Sequence, residues 1–331
     1  MSIVVQKYGG SSLPDTQSIL KVASRIAKAR ESGDRIVVVV SAMGKTTDLL
    51  IDMAGSISDR PDPRELDALL STGELQSCSL MTMALHSLGC SAISLSGAQA
   101  GILTDAQHRR AKIAIVEPKR IVDELDSGRI VIVAGFQGIN KDLDITTLER
   151  GGSDTSAVAI AAGLGASRCE IYTDVDGIFT ADPRRVTNAC MLDEIGFEEM
   201  LELASYGAKF PPQAIEMALV YDIPILVASS SSERSGTLIH KESNVNTPVG
   251  QIRNRARAIA TDSNVAKITA RGLKDHIGLQ AKIFGPLASA DISVDMIVQN
   301  ASVNGLTDLT FTVARNDLTS AMEITNPVAC S

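Results

Sequence analysis

Residues 1–13, MSIVVQKYGGSSL, form a short β-branched run that ends in a lysine and opens into a glycine and serine turn. The apolar run predicts a buried strand. Lys7 follows at its carboxyl end, where open α/β sheets bind ligands, and Gly9 and Gly10 would let backbone N–H groups approach an anion. The spacing fits neither G-x-x-x-x-G-K-[ST] nor G-x-G-x-x-G. A phosphate-handling loop and an ordinary strand–turn–helix unit both remain open here.

Short apolar runs and helical patterns alternate from this stretch to about residue 240. The runs that predict strands are 36–42, 91–97, 130–136, 169–175 and 223–229. The patterns that predict helices are 15–32, 64–88, 118–127, 153–164 and 197–220. This alternation predicts a three-layer α/β/α sandwich around a mostly parallel sheet. The carboxyl ends of the strands should then converge on one crevice.

The pattern changes after the polar loop 229–237, and we expect residues 241–263 to be a linker between two domains. Beyond it the sequence predicts strand 265–270, helix 278–290, strands 292–299 and 306–313, and helix 317–325. That order matches a ferredoxin-like α+β unit without its last strand. We therefore expect a domain at 1–240 and a smaller, apparently truncated module at 264–331.

The composition limits the classes of function. The 331 residues are 44% hydrophobic, enough for a full core, and the net charge of -8 argues against nucleic acid or an anionic membrane as the main partner. Five scattered cysteines without a C-x-x-C pair predict reduced thiols. With neither a signal-peptide pattern nor an apolar run of membrane length, we expect a soluble, cytoplasmic protein.

Four further stretches carry residues suited to chemistry, and each also has a plain structural interpretation. They are SAMGKTT at 41–47, STGE at 71–74, TTLERGGSDTS at 146–156 and TDVDGIFTADPR at 173–184. In the third, Arg150 could hold a carboxylate bidentately, while Ser153 and Asp154 stand where a helix begins and its dipole favours anions. The alternatives are capping by Thr47 or Ser153, a solvated Glu74, and ordinary Asp-Gly and Asp-Pro turns.

Together with KYGGSS at 7–12 and TDAQHRRA at 104–111, these stretches resemble the aspartokinases of the amino acid kinase family, in the same order and over nearly the whole chain. The resemblance implies transfer of the ATP γ-phosphoryl group to the side-chain carboxylate of L-aspartate. The product would be 4-phospho-L-aspartate, in the first step of lysine, threonine and methionine biosynthesis. A carboxylate nucleophile is ionised at pH 7 and needs no general base, so catalysis reduces to aligning two anions and neutralising their repulsion.

The resemblance also assigns roles to residues. Lys7 would stabilise the transferred phosphoryl group and Asp154 would orient that lysine. The implied aspartate-binding residues are Ser41, Thr47, Glu74, Arg150 and Ser153, with Arg150 on the α-carboxylate and Glu74 on the amino group. The implied ATP-binding residues are Lys7, Gly9, Gly10, Thr173, Asp174, Phe179, Arg184 and Lys209. Mg²⁺ would arrive with ATP, bound mainly by phosphates and water, without a protein metal cage. His108 matches a position near the substrate loop, and a structural role is its alternative.

The second unit resembles the ACT modules that bind amino-acid effectors in aspartokinases. This resemblance implies feedback control by lysine or threonine, with Asp275, Gly278, Gln299 and Asn300 as effector contacts. ACT modules generally pair edge to edge, and a missing strand would leave an exposed sheet edge, so we expect a homo-oligomer.

Three departures from the family pattern keep alternatives open. The segment after Lys209, residues 210–213, is one residue short and lacks a basic residue; Leu226 and Ala228 replace frequent arginines; and only one ACT-like module is present instead of two. The chain could therefore be a catalytically weak regulatory paralogue that binds amino acids or partner subunits. A related kinase for glutamate, N-acetylglutamate or UMP is a further alternative.

Overall fold

The computed structural model describes residues 2–149, 151–207, 210–232, 234–241, 257–290, 292–300 and 304–329. The chain divides into two compact units, Met1–Ala260 and Thr261–Ser331, and each is considered by itself below. Most of the expected linker, residues 242–256, lies outside the described residues, as do Arg150, Lys209 and Cys330.

The first unit alternates strands with helices. Its strands are β1 (Ile3–Tyr8), β2 (Arg35–Val40), β3 (Ala92–Leu95), β4 (Ile102–Thr104), β5 (Ile113–Val116), β6 (Ile130–Ala134), β7 (Gln137–Ile139), β8 (Ile145–Thr147), β9 (Arg168–Thr173), β10 (Glu194–Gly196), β11 (Ile225–Ser229) and β12 (Thr237–His240). Its helices are α1 (Thr16–Glu31), α2 (Thr46–Ile57), α3 (Pro63–Ser87), α4 (Lys119–Asp126), α5 (Gly152–Leu164), α6 (Phe197–Ser205) and α7 (Pro212–Tyr221).

The main sheet has the strand order β10-β12-β11-β9-β1-β2-β6-β3 and is parallel except where β11 meets β12. Its central strands are apolar on both faces because both faces are covered by helices. Val37 and Val39 of β2 belong to the same core as residues of α4, α5, α6 and α7, whereas Val38 and Val40 belong to the core that includes residues of α1 and α3. The predicted three-layer sandwich around a mostly parallel sheet is confirmed.

The predicted elements of the first unit differ from the observed ones in two respects. The single helix expected at 197–220 is two helices, α6 and α7, because Gly207 has φ 114° and Pro211 and Pro212 supply no backbone N–H donor. Helix α2 was anticipated only through the alternative in which Thr47 caps a helix. The four-stranded sheet β5-β4-β7-β8 was not predicted, since three- and four-residue strands carry too little alternation to be recognised.

The second unit is a small antiparallel sheet with helices. It contains β13 (Val265–Lys274), α8 (Leu279–Ser289), β14 (Val294–Gln299), β15 (Leu306–Ala314) and α9 (Leu318–Ala329). The strand order is β13-β15-β14, so β14 is an edge strand. Ile283, Leu309 and Phe311 lie in its core. The βαββα order expected from the sequence is therefore observed, with three strands in the described sheet.

None of the described helices is both long enough and apolar enough to cross a membrane. Four of the five cysteines, Cys78, Cys90, Cys169 and Cys190, are free thiols. Burial raises the pKa of the Cys78 thiol to about 12 and raises that of Cys169 further, so neither is activated as a nucleophile.

Candidate active site

Lys7 and Asp154 form an ion pair at the carboxyl edge of the main sheet. Lys7 lies on β1 between Val39 of β2 and Ile171 of β9. Helix α5 starts at Gly152, after Gly151 in the left-handed conformation, and this places Asp154 in its first turn. The Lys7 Nζ to Asp154 Oδ1 distance is 2.6 Å, and both side chains are nearly buried. The site thus holds a cation in place beside the amino end of a helix, an arrangement that favours a bound anion.

The turn after Lys7 needs glycine because the backbone of a second loop lies against it. A Cβ atom on Gly10 would stand 2.7 Å from the carbonyl oxygen of Ala42. A Cβ on Gly9 would stand 3.4 Å from Lys7 Nζ, so Gly9 leaves room for the ammonium group. The Gly9 N–H, which the sequence predicts to approach an anion, donates to the Tyr172 carbonyl on β9 at 3.4 Å. The contact of Gly9 with ATP stays a prediction.

We predict that Gly10→Ala lowers the free energy of unfolding by about 1–3 kcal/mol. The added methyl group would clash with the backbone at Ala42, and one of the two loops would have to move. Gly55→Ala is the matched control: Gly55 lies within α2, and a Cβ there meets no atom within 4 Å. Alanine is the better helix former, so this variant should match or exceed the wild type. Thermal unfolding measures both changes. Equal melting temperatures for the two variants would contradict the close approach at Gly10.

Glu74 lies inside α3, which runs continuously through residues 71–74, and it is buried, so the alternative of a solvated Glu74 is wrong. Its residue is 3% exposed, and Oε1 accepts a hydrogen bond from the Ala42 N–H at 3.0 Å. Its other oxygen, Oε2, is buried without a hydrogen-bond partner in the part of the chain that the structure describes. Burial raises the pKa of the Glu74 carboxyl to about 7, against the hydrogen bond from Ala42. A buried carboxylate with one free oxygen is suited to receive a ligand cation.

Of the remaining predicted aspartate-binding residues, Ser41, Thr47 and Ser153 lie in the segments that follow β2 or begin α5. Ser41 follows β2, and its N–H donates to the Tyr8 carbonyl at 3.1 Å. Thr47 is the second residue of α2, whose N-cap is Lys45, so the capping interpretation of Thr47 is wrong. Ser153 is not the cap of α5 either, and its Oγ packs 3.0 Å from where a Cβ on Gly135 would stand. Arg150 lies outside the described residues.

Four of the predicted ATP-binding residues, Thr173, Asp174, Phe179 and Arg184, lie at the end of β9 or after it. The Thr173 hydroxyl donates to Asp174 Oδ1 at 3.0 Å at the end of the strand. Phe179 is half-buried and forms a bridge with Met191, whereas Arg184 is exposed with its Nε 4.0 Å from Asp182 Oδ1. Lys209 lies outside the described residues. The structure therefore brings Thr173 and Asp174 to the same sheet edge as Lys7 and puts Phe179 and Arg184 on the loop beyond it.

A cavity of about 760 Å³ lies beside Asp154, between the first turns of α5 and α7. The segment 210–213, which the family resemblance predicts to be one residue short, forms one wall of it, with Phe210 buried and Gln213 in the lining. Pro211 would be 2.7 Å from a Cβ on Gly151, so this segment packs directly on the turn that presents Asp154. The altered segment is thus part of the candidate site.

Asp67 is a buried site residue that sequence reasoning missed. Its residue is 0% exposed; Oδ2 accepts from His108 Nδ1 at 2.8 Å, and both oxygens accept from the Arg109 N–H. Thr147 also donates to it. His108 is therefore engaged in fastening the 105–112 loop to α3. Asp67, Ser71 and Glu74 share the i, i+4, i+7 face of one helix, a spacing that could have identified Asp67.

The predicted effector residues come together at one end of the second unit. The Asp275 N–H donates to the Gly305 carbonyl at 2.9 Å, and Gly278, with φ 91°, is the N-cap of α8. Gln280 on α8 donates to Gln299 at 2.8 Å, and the Asn300 N–H donates to the Asp308 carbonyl at 3.1 Å. All four predicted residues are exposed. In the described residues, no group of three or more His, Cys, Asp or Glu side chains is arranged to hold a metal ion.

Comparison with known proteins places these features in a family. The model of the amino acid kinase family matches residues 2–229, and that of the ACT domain matches residues 267–326. An aspartokinase of Mycolicibacterium smegmatis is 51% identical over 98% of this chain and 77% of its own length.

Two solved structures of Escherichia coli aspartokinase III are similar in fold. The complex with aspartate and ADP has a TM-score of 0.79 at 30% identity, covering 94% of this chain and 78% of the other. The complex with lysine and aspartate has a TM-score of 0.75 at 27% identity, covering 98% and 83%. The chain therefore belongs to the amino acid kinase family and, within it, to the aspartokinases.

Proposed function

We propose that this chain is an ATP-dependent aspartate kinase, which transfers the γ-phosphoryl group of ATP to the side-chain carboxylate of L-aspartate. The observation that carries the proposal is the Lys7–Asp154 ion pair, together with a buried Glu74 that has one oxygen without a partner in the described residues and is bonded to Ala42, the residue packed against Gly10. ATP requires a cation near its γ-phosphoryl group, and an amino acid requires an anion near its ammonium group. Lys7 and Glu74 supply these two charges. The relatives named aspartokinase, one of them solved with aspartate and ADP, support the same activity.

In the proposed reaction, an oxygen of the aspartate β-carboxylate bonds to the γ-phosphorus as the bond from that phosphorus to the β–γ bridging oxygen breaks. The products are 4-phospho-L-aspartate and ADP. Lys7 neutralises charge on the transferred group, and Asp154 holds its ammonium in place. Glu74 accepts the substrate ammonium, and Arg150 binds its α-carboxylate. Mg²⁺ would enter with ATP, held mainly by phosphate oxygens and water, and would supply positive charge that lessens the repulsion between the reactants.

The altered segment 210–213 favours a second candidate function, an amino-acid-binding paralogue with weak catalysis. Pro211 and Gln213 line the cavity beside Asp154, so a change in this wall alters the surroundings of the ion pair. A misplacement of about 1 Å in such a site can lower the rate about a hundredfold.

Trapping the acyl phosphate distinguishes these functions. The chain is incubated with ATP, Mg²⁺ and either L-aspartate or L-glutamate in hydroxylamine, which converts an acyl phosphate into a hydroxamate. We expect hydroxamate from aspartate and little from glutamate. Aspartate binding in calorimetry without any hydroxamate would instead support the paralogue, and hydroxamate from glutamate alone would assign another substrate.

We further propose that the second unit binds lysine or threonine at the end formed by Asp275, Gly278, Gln299 and Asn300. One of the two amino acids is expected to raise the melting temperature, because a ligand that binds only the folded state stabilises it, by about 2.7 kcal/mol at a hundred times Kd. Gln299→Ala removes the side chain linked to α8 and should reduce the shift, whereas Gln251→Ala offers a control far outside these residues in sequence. No shift with either amino acid would overturn the effector proposal.

The chain is also proposed to form homo-oligomers through β14. This strand lies at the edge of the described sheet and exposes Met296, Ile297 and Val298, each about half accessible. Such an edge favours pairing with the same strand of a second copy. A monomer in analytical ultracentrifugation at micromolar concentration would contradict this arrangement.

A further inference from the structure

Arg25 on α1 binds a turn that is remote from it in sequence. Its Nη1 donates to the carbonyl oxygens of Ser229, Ser230 and Ser232 at 3.2, 3.4 and 3.5 Å. These three carbonyls belong to the turn at residues 229–232, called here the serine turn, which follows β11. Converging carbonyl oxygens repel each other, so the guanidinium group stabilises this conformation of the turn.

The serine turn also forms hydrogen bonds with the end of β9 and the segment after it, which contain predicted ATP-binding residues. The Ser230 N–H donates to the Thr173 carbonyl at 2.9 Å. The Ser232 hydroxyl donates to Asp176 Oδ1 at 2.8 Å, and Arg234 contacts the other oxygen of that carboxylate at 2.9 Å. The position of residues 173–176 therefore depends on the shape of the serine turn.

Arg25 also lies over the ring of Tyr172, which stacks on a residue of the Lys7 loop, the name used here for residues 7–12. Its Cζ is 4.3 Å from the centroid of the Tyr172 ring, and that ring stacks on Tyr8 with centroids 4.8 Å apart. Tyr8 follows Lys7, and the Tyr172 carbonyl accepts the Gly9 N–H. The Arg25 guanidinium group thus contacts both the serine turn and the Tyr172 ring, and that ring stacks on Tyr8 of the Lys7 loop.

Strand β11 supplies no cation at this place. Leu226 is paired in register with Glu170, and Ala228 with Tyr172. Ala228 is 2% exposed and packs in the core with Tyr172. Glu170 already accepts hydrogen bonds from Gln6 of β1 at 2.8 Å and from Arg168 of its own strand at 2.7 Å. The positive charge at the serine turn therefore comes from α1.

We propose that Arg25 is a positioning residue for the nucleotide: it holds the serine turn and the Tyr172 ring, and through them residues 173–176 and the Lys7 loop, in the conformation that binds ATP. This inference rests on the proposed kinase function. It assigns Arg25 no contact with the reacting atoms. Because a guanidinium group combines a planar face for the ring with N–H donors for the carbonyls, lysine can replace it only in part.

The test compares Arg25→Gln with Arg30→Gln. Arg30 lies on the same helix and also donates to backbone carbonyls, those of Asp34 at 2.9 Å and Gly128 at 3.3 Å, so the control removes the same charge and the same type of bond elsewhere. For Arg25→Gln we expect Kd for MgADP and KM for ATP to rise about tenfold, with KM for aspartate within about twofold, because charged hydrogen bonds are lost only on the nucleotide side. Arg25→Lys should fall between, and Arg30→Gln should leave all three constants unchanged.

Equal increases in the KM of both substrates, or a lower melting temperature with unchanged MgADP binding, would overturn the proposal and leave Arg25 a structural residue only. If Arg25→Gln does not fold, Arg25→Lys must show the same selective rise in Kd for MgADP and KM for ATP, by a smaller factor. A wild type that binds MgADP but forms no hydroxamate would refute the kinase function while the Arg25 comparison still stands. A wild type that does not bind MgADP would refute both.

Discussion

Replacing Lys7 by methionine is expected to lower kcat for hydroxamate formation from aspartate about a thousandfold, because no other group replaces a preorganised cation at the transferred phosphoryl group. Methionine keeps a similar length and fills the space next to Gly9 without a charge. KM for aspartate should change far less than kcat, since the aspartate ammonium and α-carboxylate are assigned to other residues. Steady-state kinetics with the hydroxamate assay measures both constants.

The variant also leaves Asp154 buried without its partner, so loss of activity must be separated from loss of folding. The double variant Lys7→Met/Asp154→Asn removes the unpaired charge and should recover melting temperature but not kcat. Lys119→Met, at the exposed start of α4, controls for loss of a lysine and should be fully active. Hydroxamate formation by Lys7→Met at more than a tenth of the wild-type rate would refute the assigned role of Lys7.

Replacing Glu74 by glutamine is expected to raise KM for aspartate about 30- to 100-fold at pH 8, because the substrate ammonium would lose the charge of a buried carboxylate. The wild type should show a pH dependence that the variant lacks. The pKa of Glu74 is about 7, so protons compete with the substrate ammonium below that pH. KM for aspartate in the wild type should rise towards about tenfold per pH unit below pH 7 and should remain nearly constant above it.

The same pKa predicts how stability without substrate varies with pH. Burial raises the pKa of Glu74 from 4.5 to about 7, so its contribution to stability is fully present below pH 4.5 and is lost as the pH rises through about 7. Glu74→Gln should remove this loss, and added aspartate should offset it in the wild type. Glu65→Gln, at the exposed start of the same helix, should change neither behaviour. A wild-type KM that does not vary between about pH 5.5 and 8 would contradict the ammonium site.

Much of the candidate site could be predicted because its parts are contiguous in sequence. Lys7 with Gly9 and Gly10, and Ser153 with Asp154, each occupy one turn next to a strand or helix that its own pattern predicts. The conformation of such a turn depends mainly on its own residues, so their relative positions can be predicted without knowing which other segments pack against them. The hydrogen bond from the Gly9 N–H to the Tyr172 carbonyl could not be predicted, because the two residues are more than 160 positions apart in sequence.

The amino-acid sequence by itself determined the alternating strands and helices, the two-unit organisation and the motifs of the aspartokinases, since these depend on local periodicity and on the order of short segments. Tertiary structure alone decided the raised pKa of Glu74, the burial of Asp67 and the contact of Arg25 with the serine turn. The physical reason is that desolvation and hydrogen bonding act through space. Arg25 and Ser229 are 204 positions apart, and only the packing of α1 against the sheet brings them together.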